Sequence, residues 1–440
     1  MSKQVKWTGI IMALVLQSGV VQADITVCST GADETDAAQG LIDLTPGEDL
    51  LLCAGETHDM GGYFRTLGDM QGSVVTSYGT GTMPVVTGQK VFADNAPKNL
   101  TFQGLNFQGA DPASPATNGH AFRFNDGSEN ITVRDSIIEN FTVGVYTQGN
   151  NNVGIQTNIH IINNIIRNNY AQGVLGGGPG YIVRGNTLTN NGNNGIFDHN
   201  VYLGGCKPLM TSNGACHMIV EDNYIENSSP DINGNATGSE IVLHGYVTKL
   251  DIKNNVIKSS DGANPTNYGV DVSALTDTDE ERWYDVTVEG NHFIGLGRNA
   301  ISIEGTDGVS ISGNVFSRHN PANVGRTTRS IRVRTGPEIN RGGITTTNVN
   351  IGVNTFDTVP SETWVLVESD VAQPISVATG LPAPVLSYMA GEYSTENIIG
   401  MDVLCDLMTQ LNTSNNTYDI NRDGFVLQDD LALLLNYIDE

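Results

Sequence analysis

Apolar and polar residues alternate in many short stretches between about Asn99 and Phe356, and the same kind of turn follows each stretch. Each copy of this repeat begins with apolar residues at every second position. A two-residue polar turn follows, then an asparagine and another apolar pair. The copies read NITVRDSIIEN, HIINNIIRNN, YIVRGNTLTNN, MIVEDNYIEN, LDIKNNVIK, DVTVEGNHFI, VSISGNVF and VNIGVNTF. Period two is the spacing of side chains on one face of a strand, so each copy predicts short strands joined at a bend.

The turn asparagine recurs at intervals of about 22 to 40 residues, which is the range of a solenoid repeat. Asparagine tolerates the left-handed backbone of a bend and forms hydrogen bonds with its neighbours, so a stacked ladder of these residues is expected. The shortest interval leaves room for three short strands per coil, and longer intervals indicate inserted loops. The ladder residues are Asn164, Asn186, Asn223, Asn255, Asn291, Asn314 and Asn354.

A second strand follows each asparagine turn, as in SEIVLHG, YGVDVS, AISIEG and SIRVRTG. Alternation predicts that one set of side chains faces inward: Ile241, Leu243, Val270, Val272, Ile301, Ile303, Ile331 and Val333. It sends another set outward: Tyr202, Glu240, His244, Asp271, Ser302, Glu304, Arg332 and Arg334. Polar residues are normal on a solvated sheet face, but so many functional groups on successive coils predict a functional surface.

The repeats and the segment TPGEDLLLCAGE resemble the right-handed parallel β-helix of the pectate lyase superfamily over nearly all of residues 24–385. The expected fold class is therefore all-β, with an N-terminal cap and first coils at 24–95 and a right-handed parallel β-helix at 96–385. A β-sandwich is the alternative, although it would not repeat one asparagine turn so often.

The string DHNVYLGG resembles a subgroup motif, His-Asn-aliphatic-Tyr-aliphatic-Gly, which begins here at His199. Relatives follow it one coil later with Gly-His-Glu-aliphatic-Lys-Ser-Arg, of which Glu240 and Ile241 match. A structural role at a coil corner is the alternative for His199 and Tyr202. The resemblance implies the architecture more than the reaction.

The commonest activity in the superfamily is cleavage of uronic-acid polysaccharides by β-elimination, so an acidic polysaccharide is the expected substrate. This reaction needs a neutraliser for the sugar carboxylate, a base for the C5 proton and an acid for the leaving oxygen. We therefore predict catalytic roles for His199, Tyr202 and His244. Expected substrate contacts are Asn200, Glu240, Asp271, Arg332 and Arg334.

Other functions remain open at this stage. Asp198, Glu240, Asp271 and Glu304 could supply the paired carboxylates of a glycoside hydrolase. A C5-epimerase shares the first half of the elimination reaction. A secreted carbohydrate-binding or adhesive protein without catalytic activity is the third possibility.

The N-terminus predicts a signal peptide at residues 1–23, because Lys3 and Lys6 precede the apolar run from Ile10 to Leu16. This run is too short to span a membrane, and no membrane span is predicted elsewhere. A secreted or periplasmic location is expected. Of five cysteines, Cys28 is expected to pair with Cys53 and Cys206 with Cys216, which leaves Cys405 over.

The 22 basic and 48 acidic residues give a formal net charge of −26 at pH 7. So acidic a surface repels nucleic acid and anionic membranes over most of its area. Neither is expected as a partner.

The C-terminal string DINRDGFVLQDD places oxygen-bearing residues at the alternating spacing of an EF-hand calcium loop, and apolar helical segments flank it. The expected Ca²⁺ ligands are Asp419, Asn421, Asp423, the Phe425 carbonyl and Asp430. A solvated acidic loop is the alternative. Residues 386–440 resemble a dockerin-like EF-hand module, which implies a cohesin-like or cell-surface protein as a partner.

Overall fold

The computed structural model describes residues 24–64, 67–88, 90–125, 127–147, 155–193, 197–231, 236–259, 266–272, 281–317, 330–335, 344–356 and 365–378. These residues form 36 strands, numbered in chain order, and one α-helix, α1 (Ala37–Asp43). Short 3-10 turns occur at Pro115–Thr117 and Lys207–Ser212.

The strands form three parallel sheets. Sheet A contains β1 (Ile25–Val27), β2 (Leu50–Cys53), β5 (Asp69–Tyr78), β8 (Lys98–Gln103), β11 (Glu129–Arg134), β14 (Thr157–Ile162), β17 (Tyr181–Arg184), β20 (His217–Glu221), β23 (Tyr246–Val247), β24 (Lys249–Lys253), β27 (Arg282–Glu289), β30 (Thr306–Ser312), β33 (Thr347–Ile351) and β36 (Ile375–Val377).

Sheet B contains β3 (Thr57–Asp59), β6 (Val85–Gly88), β9 (Asn106–Gly109), β12 (Ile137–Glu139), β15 (Ile165–Arg167), β18 (Thr187–Thr189), β21 (Tyr224–Glu226), β25 (Val256–Lys258), β28 (His292–Ile294), β31 (Val315–Ser317) and β34 (Thr355–Phe356).

Sheet C contains β4 (Gly62–Phe64), β7 (Lys90–Asn95), β10 (His120–Asn125), β13 (Val143–Thr147), β16 (Gln172–Gly176), β19 (Val201–Leu203), β22 (Ser239–Leu243), β26 (Tyr268–Val272), β29 (Ile301–Glu304), β32 (Ile331–Arg334) and β35 (Val365–Val367).

The chain visits sheets A, B and C in turn and then returns to sheet A one coil further on. For example, β14, β15 and β16 make one coil, and β17 pairs in parallel with β14 at the start of the next. This winding is a parallel β-helix with three strands per coil, which confirms the predicted all-β class. Its right-handed sense stays a prediction, and the predicted helical module at 386–440 lies outside the described residues.

In-register stacking places like side chains above one another in the interior. All eight side chains predicted to face inward on sheet C are at most 1% exposed. On sheet B, the rings of Phe293, Phe316 and Phe356 stack with centroids 5.1 and 4.8 Å apart. Such columns bury apolar surface along the whole axis, which is the main stabilising contribution.

The predicted asparagine ladder is confirmed at the bend between sheets A and B. Each side-chain Nδ2 donates to the Oδ1 of the next asparagine, from Asn164 through to Asn354, at 2.9 to 3.1 Å. Each Oδ1 also accepts a backbone N–H from the preceding coil, as Asn255 does from Asn223. These bonds satisfy polar groups that are otherwise buried at the bend.

Helix α1 packs against the N-terminal coil. The Asp36 carboxylate caps it by accepting a hydrogen bond from the Ala38 backbone at 2.8 Å. A side chain at Gly40 would lie 2.8 Å from Val27, so the close approach of helix and strand requires glycine there.

Both predicted disulfides, Cys28–Cys53 and Cys206–Cys216, are present. The first joins the segments of β1 and β2, and the second closes the loop between β19 and β20. In the described ranges, no helix has the length and apolarity needed to cross a membrane.

Candidate active site

One outward column runs along sheet C in unbroken register. Alternation correctly places Tyr202, Asp271, Ser302 and Arg332 in it, each opposite a residue of the adjacent strand. The full column is Arg123, Tyr146, Leu175, Tyr202, Val242, Asp271, Ser302, Arg332 and Leu366.

Tyr202 lies between two histidine rings in the middle of this column. Its ring centroid is 5.7 Å from that of His199 and 5.1 Å from that of His244. His199 precedes β19, and His244 follows β22 directly, so the two rings come from adjacent coils. The opposite residue on β22 is Val242, whose small side chain leaves the Tyr202 ring free to approach His244. The three residues predicted to be catalytic are thus brought together.

His199 is almost completely buried and bonded to the next coil. Its Nδ1 lies 3.1 Å from the Ser239 carbonyl oxygen and 3.2 Å from the Ser239 backbone nitrogen. Burial, together with a smaller effect of the nearby His244, lowers the pKa of His199 to about 3, against the opposing effect of its hydrogen bond with Ser239. The ring is therefore neutral at any pH near 7.

His244 has a carboxylate neighbour that the sequence did not reveal. Its Nδ1 lies 3.3 Å from Glu281 Oε1, and both side chains are less than 10% exposed. The Gly245 backbone N–H donates to the same carboxylate oxygen at 3.2 Å and so fixes the carboxylate in position. The His244 imidazole is not oriented for a hydrogen bond to Glu281. Within the described part of the chain, His244 Nδ1 and Glu281 Oε2 are both buried without a hydrogen-bond partner.

Tyr202 is held in its protonated form. Burial, together with a smaller effect of the Glu281 carboxylate, raises the pKa of its hydroxyl to about 12. A phenol in this state donates a proton readily only when a strong base forms beside it. Tyr202 therefore has the properties of a general acid, and His244 with Glu281 has those of a base.

Glu240 does not face outward, although alternation predicted that it would. Ser239 and Glu240 lie at the corner where the chain enters β22, and there the Glu240 side chain turns into the wall between sheets B and C. Neither Glu240 nor Asn200 has any exposed surface. In this conformation neither side chain can touch a substrate. Asn200 Nδ2 instead donates to Glu240 Oε2 at 2.6 Å.

The other predicted substrate contacts are spread along the column. Arg332 donates from Nε to Glu368 at 2.7 Å, and Arg334 bonds to Glu304 on the adjacent strand. Both guanidinium groups are thus neutralised by carboxylates of this chain. Asp271 accepts a long hydrogen bond of 3.5 Å from the Ser239 hydroxyl and lies nearest to the Tyr202 group.

The opposite end of the column carries groups that sequence analysis missed. The Arg123 guanidinium lies over the Tyr146 ring at 5.5 Å, and the His120 ring is 4.9 Å from the same ring. Aromatic faces and cations are common contacts for sugars and carboxylates. The strings HAFRF and VGVYT contain Arg123 and Tyr146 at outward positions, so alternation was the signal that could have found these two. His120 shares the parity of the inward Phe122, so alternation could not have found it.

The predicted calcium ligands Asp419, Asn421, Asp423, Phe425 and Asp430 lie outside the described residues. Within the ranges that the structure describes, no three His, Cys, Asp or Glu side chains cluster as metal ligands do. Ca²⁺ binding therefore stays a prediction for the C-terminal segment.

Comparison with models of known protein families gives no match, and comparison with curated proteins gives none either. Several solved structures are similar. The catalytic unit of a GH87 α-1,3-glucanase from Streptomyces thermodiastaticus is 15% identical over 81% of this chain and 70% of its own, with a TM-score of 0.47.

Two further structures are similar at the same level. The A-module of the mannuronan C-5 epimerase AlgE4 from Azotobacter vinelandii is 14% identical over 76% of this chain and 91% of its own, with a TM-score of 0.42. The pectate lyase Pel9A is 12% identical over 90% of this chain and 87% of its own, with a TM-score of 0.41. These identities are too low to transfer an activity to this chain.

Proposed function

We propose that this protein is a polysaccharide lyase that cleaves a uronic-acid-containing chain by β-elimination at Tyr202 and His244. The observation that carries the proposal is the contact between a protonated tyrosine and a carboxylate-backed histidine on adjacent coils of an outward face. Elimination needs one group that takes a proton and one that gives a proton. His244 can take the proton, and Tyr202 can give one.

In the proposed step, His244 removes the C5 proton of a uronate. The electron pair of that bond forms the C4–C5 double bond, and the bond from C4 to the glycosidic oxygen breaks. Tyr202 gives its proton to the departing oxygen, and the imidazolium formed on His244 is stabilised by the Glu281 carboxylate. Neutral His199 is the nearest further ring N–H that could donate to the sugar carboxylate.

The remainder of the column suits neighbouring sugars of a long substrate. Arg123 lies three strands from Tyr202 and Arg332 lies four strands away, which corresponds to about 14 and 19 Å at 4.8 Å per strand. At those distances they act on binding rather than on the reacting sugar. An acidic polysaccharide that follows the column would meet Arg123 toward one end and the Arg332–Glu368 ion pair toward the other.

Hydrolysis is the second candidate, and one observation favours it. Asp271 and Glu304 lie on the adjacent strands β26 and β29, and the pKa of Glu304 is raised by burial and by Asp271, against the opposing effect of Arg334. A glycosidase uses two carboxyl groups as acid and base, and the acid is the one whose pKa is raised.

The two disulfides support a location in an oxidising compartment. The proposal has three remaining parts: secretion directed by residues 1–23, a C-terminal module that binds calcium, and a cohesin-like or cell-surface partner. They rest on the sequence.

The test is incubation of the protein with a panel of acidic polysaccharides, followed by ultraviolet absorbance of unsaturated uronates and by sizing of the products. Absorbance that grows while chains shorten supports the lyase. Shortening without absorbance indicates the hydrolase, and binding without either indicates a carbohydrate-binding protein. A C5-epimerase would change sugar stereochemistry without shortening the chains.

A further inference from the structure

A second ladder of buried side chains lies directly behind the Tyr202 group, at the corner between sheets B and C. Asn169 donates to Asn191 at 2.8 Å, and Asn191 donates to Asn200 at 2.7 Å. Asn200 then donates to Glu240 at 2.6 Å. Every member is at most 1% exposed. The members are Asn169, Asn191, Asn200, Glu240 and Asn267.

The hydrogen-bond direction of this ladder reverses at Glu240. Up to that point each amide donates to the next residue along the chain, as throughout the first ladder. Asn267, however, donates backward to Glu240 Oε1 at 2.9 Å. The Ser228 backbone N–H donates to the same carboxylate at 3.0 and 3.2 Å. Both oxygens of Glu240 act only as acceptors in this arrangement, so a carboxyl proton requires one of these donors to turn over.

A protonated Glu240 would behave as an amide does at the other positions. One carboxyl oxygen would still accept from Asn200 and Ser228, and the hydroxyl would donate to Asn267 once that amide turned over. The turn would sacrifice one long bond, from the Gly297 backbone to Asn267 Oδ1 at 3.3 Å. The ladder would then run in a single direction throughout its length.

The surroundings of Glu240 favour the neutral form. Within the described residues, no lysine, arginine or histidine forms an ion pair with it. The charged or titratable groups nearest to it are His199 and Asp198 on the preceding coil, Glu226 at the end of β21, Asp271 on the following strand and Arg298, whose guanidinium bonds the Tyr268 hydroxyl. Burial raises the pKa of Glu240 to about 7, against the opposing effect of its hydrogen bonds.

The ladder is connected to the proposed site by short links. His199 and Asn200 are consecutive, and His199 is bonded to the backbone of Ser239, the residue before Glu240. We propose that Glu240 is a proton-controlled positioning residue, which holds the His199–Tyr202 corner firmly when protonated and loosens it when ionised. An effect of Glu240 on catalysis rests on the proposed function, whereas the loosening of the His199–Tyr202 corner does not depend on it.

The sign follows from proton linkage. The closed corner holds the Glu240 proton up to about pH 7, whereas a solvent-exposed glutamate loses it near its ordinary pKa. Raising the pH from 5.5 to 8 therefore favours opening. His199 has the opposite dependence, since its pKa is lowered in the closed corner, so a comparison between variants is needed to isolate Glu240.

The experiment is hydrogen exchange of the full chain at pH 5.5 and pH 8, corrected for intrinsic rates, in the wild type and in Glu240→Gln. Glutamine supplies the donor and acceptor of the protonated acid at both pH values. At the Ser228 amide and in the segment 199–204, we expect the wild type to open more often than the variant at both pH values. The ratio of their opening constants should be on the order of 10-fold larger at pH 8 than at pH 5.5.

The control is Glu289→Gln, which removes an exposed carboxylate outside the ladder, and which should retain the wild-type pH dependence. If the ratio of the wild-type opening constant to that of Glu240→Gln is the same at both pH values, the proposal is overturned.

If Glu240→Gln does not fold, a titration of the Glu240 carboxyl carbon-13 chemical shift in the wild type replaces the comparison. Titration above about pH 6 supports the proposal, and a group still ionised at pH 5 overturns it. No substrate is needed, so the result is independent of whether the protein proves to be a lyase.

Discussion

The Tyr202 and His244 rings face one another from adjacent coils with their centroids 5.1 Å apart. Glu281 lies 3.3 Å behind His244 and also raises the pKa of Tyr202. One buried carboxylate thus lies against the His244 ring and also keeps the Tyr202 hydroxyl protonated. This coupling distinguishes the pair from a stack of ring side chains that serves only to pack the surface.

Glu281→Gln should lower turnover by about 10-fold or more, because the imidazolium formed on His244 would lose its counter-charge. Steady-state kinetics on the polysaccharide identified by screening would measure this. The matched control is Glu289→Gln, which removes a carboxylate at the exposed end of the same strand, β27. Equal turnover in the two variants would show that Glu281 has no part in the reaction.

The His199 ring should make the protein less stable in acid. Its pKa is about 3 in the folded state and near 6.5 in the unfolded chain, so protons favour the unfolded state in between. Stability should therefore fall by about 2 kcal/mol more in the wild type than in His199→Gln when the pH drops from 6.5 to 5. Denaturant unfolding at the two pH values tests this, and parallel losses in both proteins would contradict it.

Asn255→Ala should destabilise the fold by about 3 kcal/mol, because it leaves three buried partners on the two neighbouring coils without hydrogen bonds. Asn255 donates to Val220 O and Asn291 Oδ1 and accepts from Asn223. Asn350→Ala, on the exposed face of β33, should change stability by no more than about 0.5 kcal/mol. Chemical denaturation of both variants provides the measurement, and similar values would mean that the ladder contributes little.

Sequence patterns predicted the first ladder because one residue type recurs at one kind of turn. The second ladder, from Asn169 through Asn191 and Asn200 to Glu240, was missed because its links vary in spacing and type. Asn191 and Asn200 are only nine positions apart, and position 240 is a glutamate. Alternation failed at Glu240 although this residue is the second of β22, because its carboxylate accepts buried hydrogen bonds from Asn200, Ser228 and Asn267.

Contacts between coils could not be predicted from the sequence patterns either. Arg332 and Glu368 are 36 residues apart and form a hydrogen bond between adjacent coils. Gly245 and Glu281 are also 36 residues apart and also bond between adjacent coils. Nothing in the alternation of single strands reports which residues meet across loops of unequal length. Strand alternation found Tyr202 and its histidines, whereas the Glu281 carboxylate beside His244 could be placed only once the coil register was known.

Calcium binding can be tested on the full chain. Isothermal titration should show one Ca²⁺ site that is lost in the double variant Asp419→Ala/Asp423→Ala, because the removed carboxylates are the first and fifth predicted ligands. Asp406→Ala, outside the loop, is the control and should keep the site. Binding that persists in the double variant would refute the ligand assignment.

The most direct test of the central claim is the rate of unsaturated-uronate formation by Tyr202→Phe and by Tyr146→Phe. Both changes remove one phenol hydroxyl from the same outward column, two strands apart. The account predicts that Tyr202→Phe lowers the rate on the order of 100-fold or more, since only Tyr202 gives a proton to the leaving oxygen, and that Tyr146→Phe stays within a few-fold of wild type. A Tyr202→Phe protein that forms the product as fast as Tyr146→Phe would contradict it.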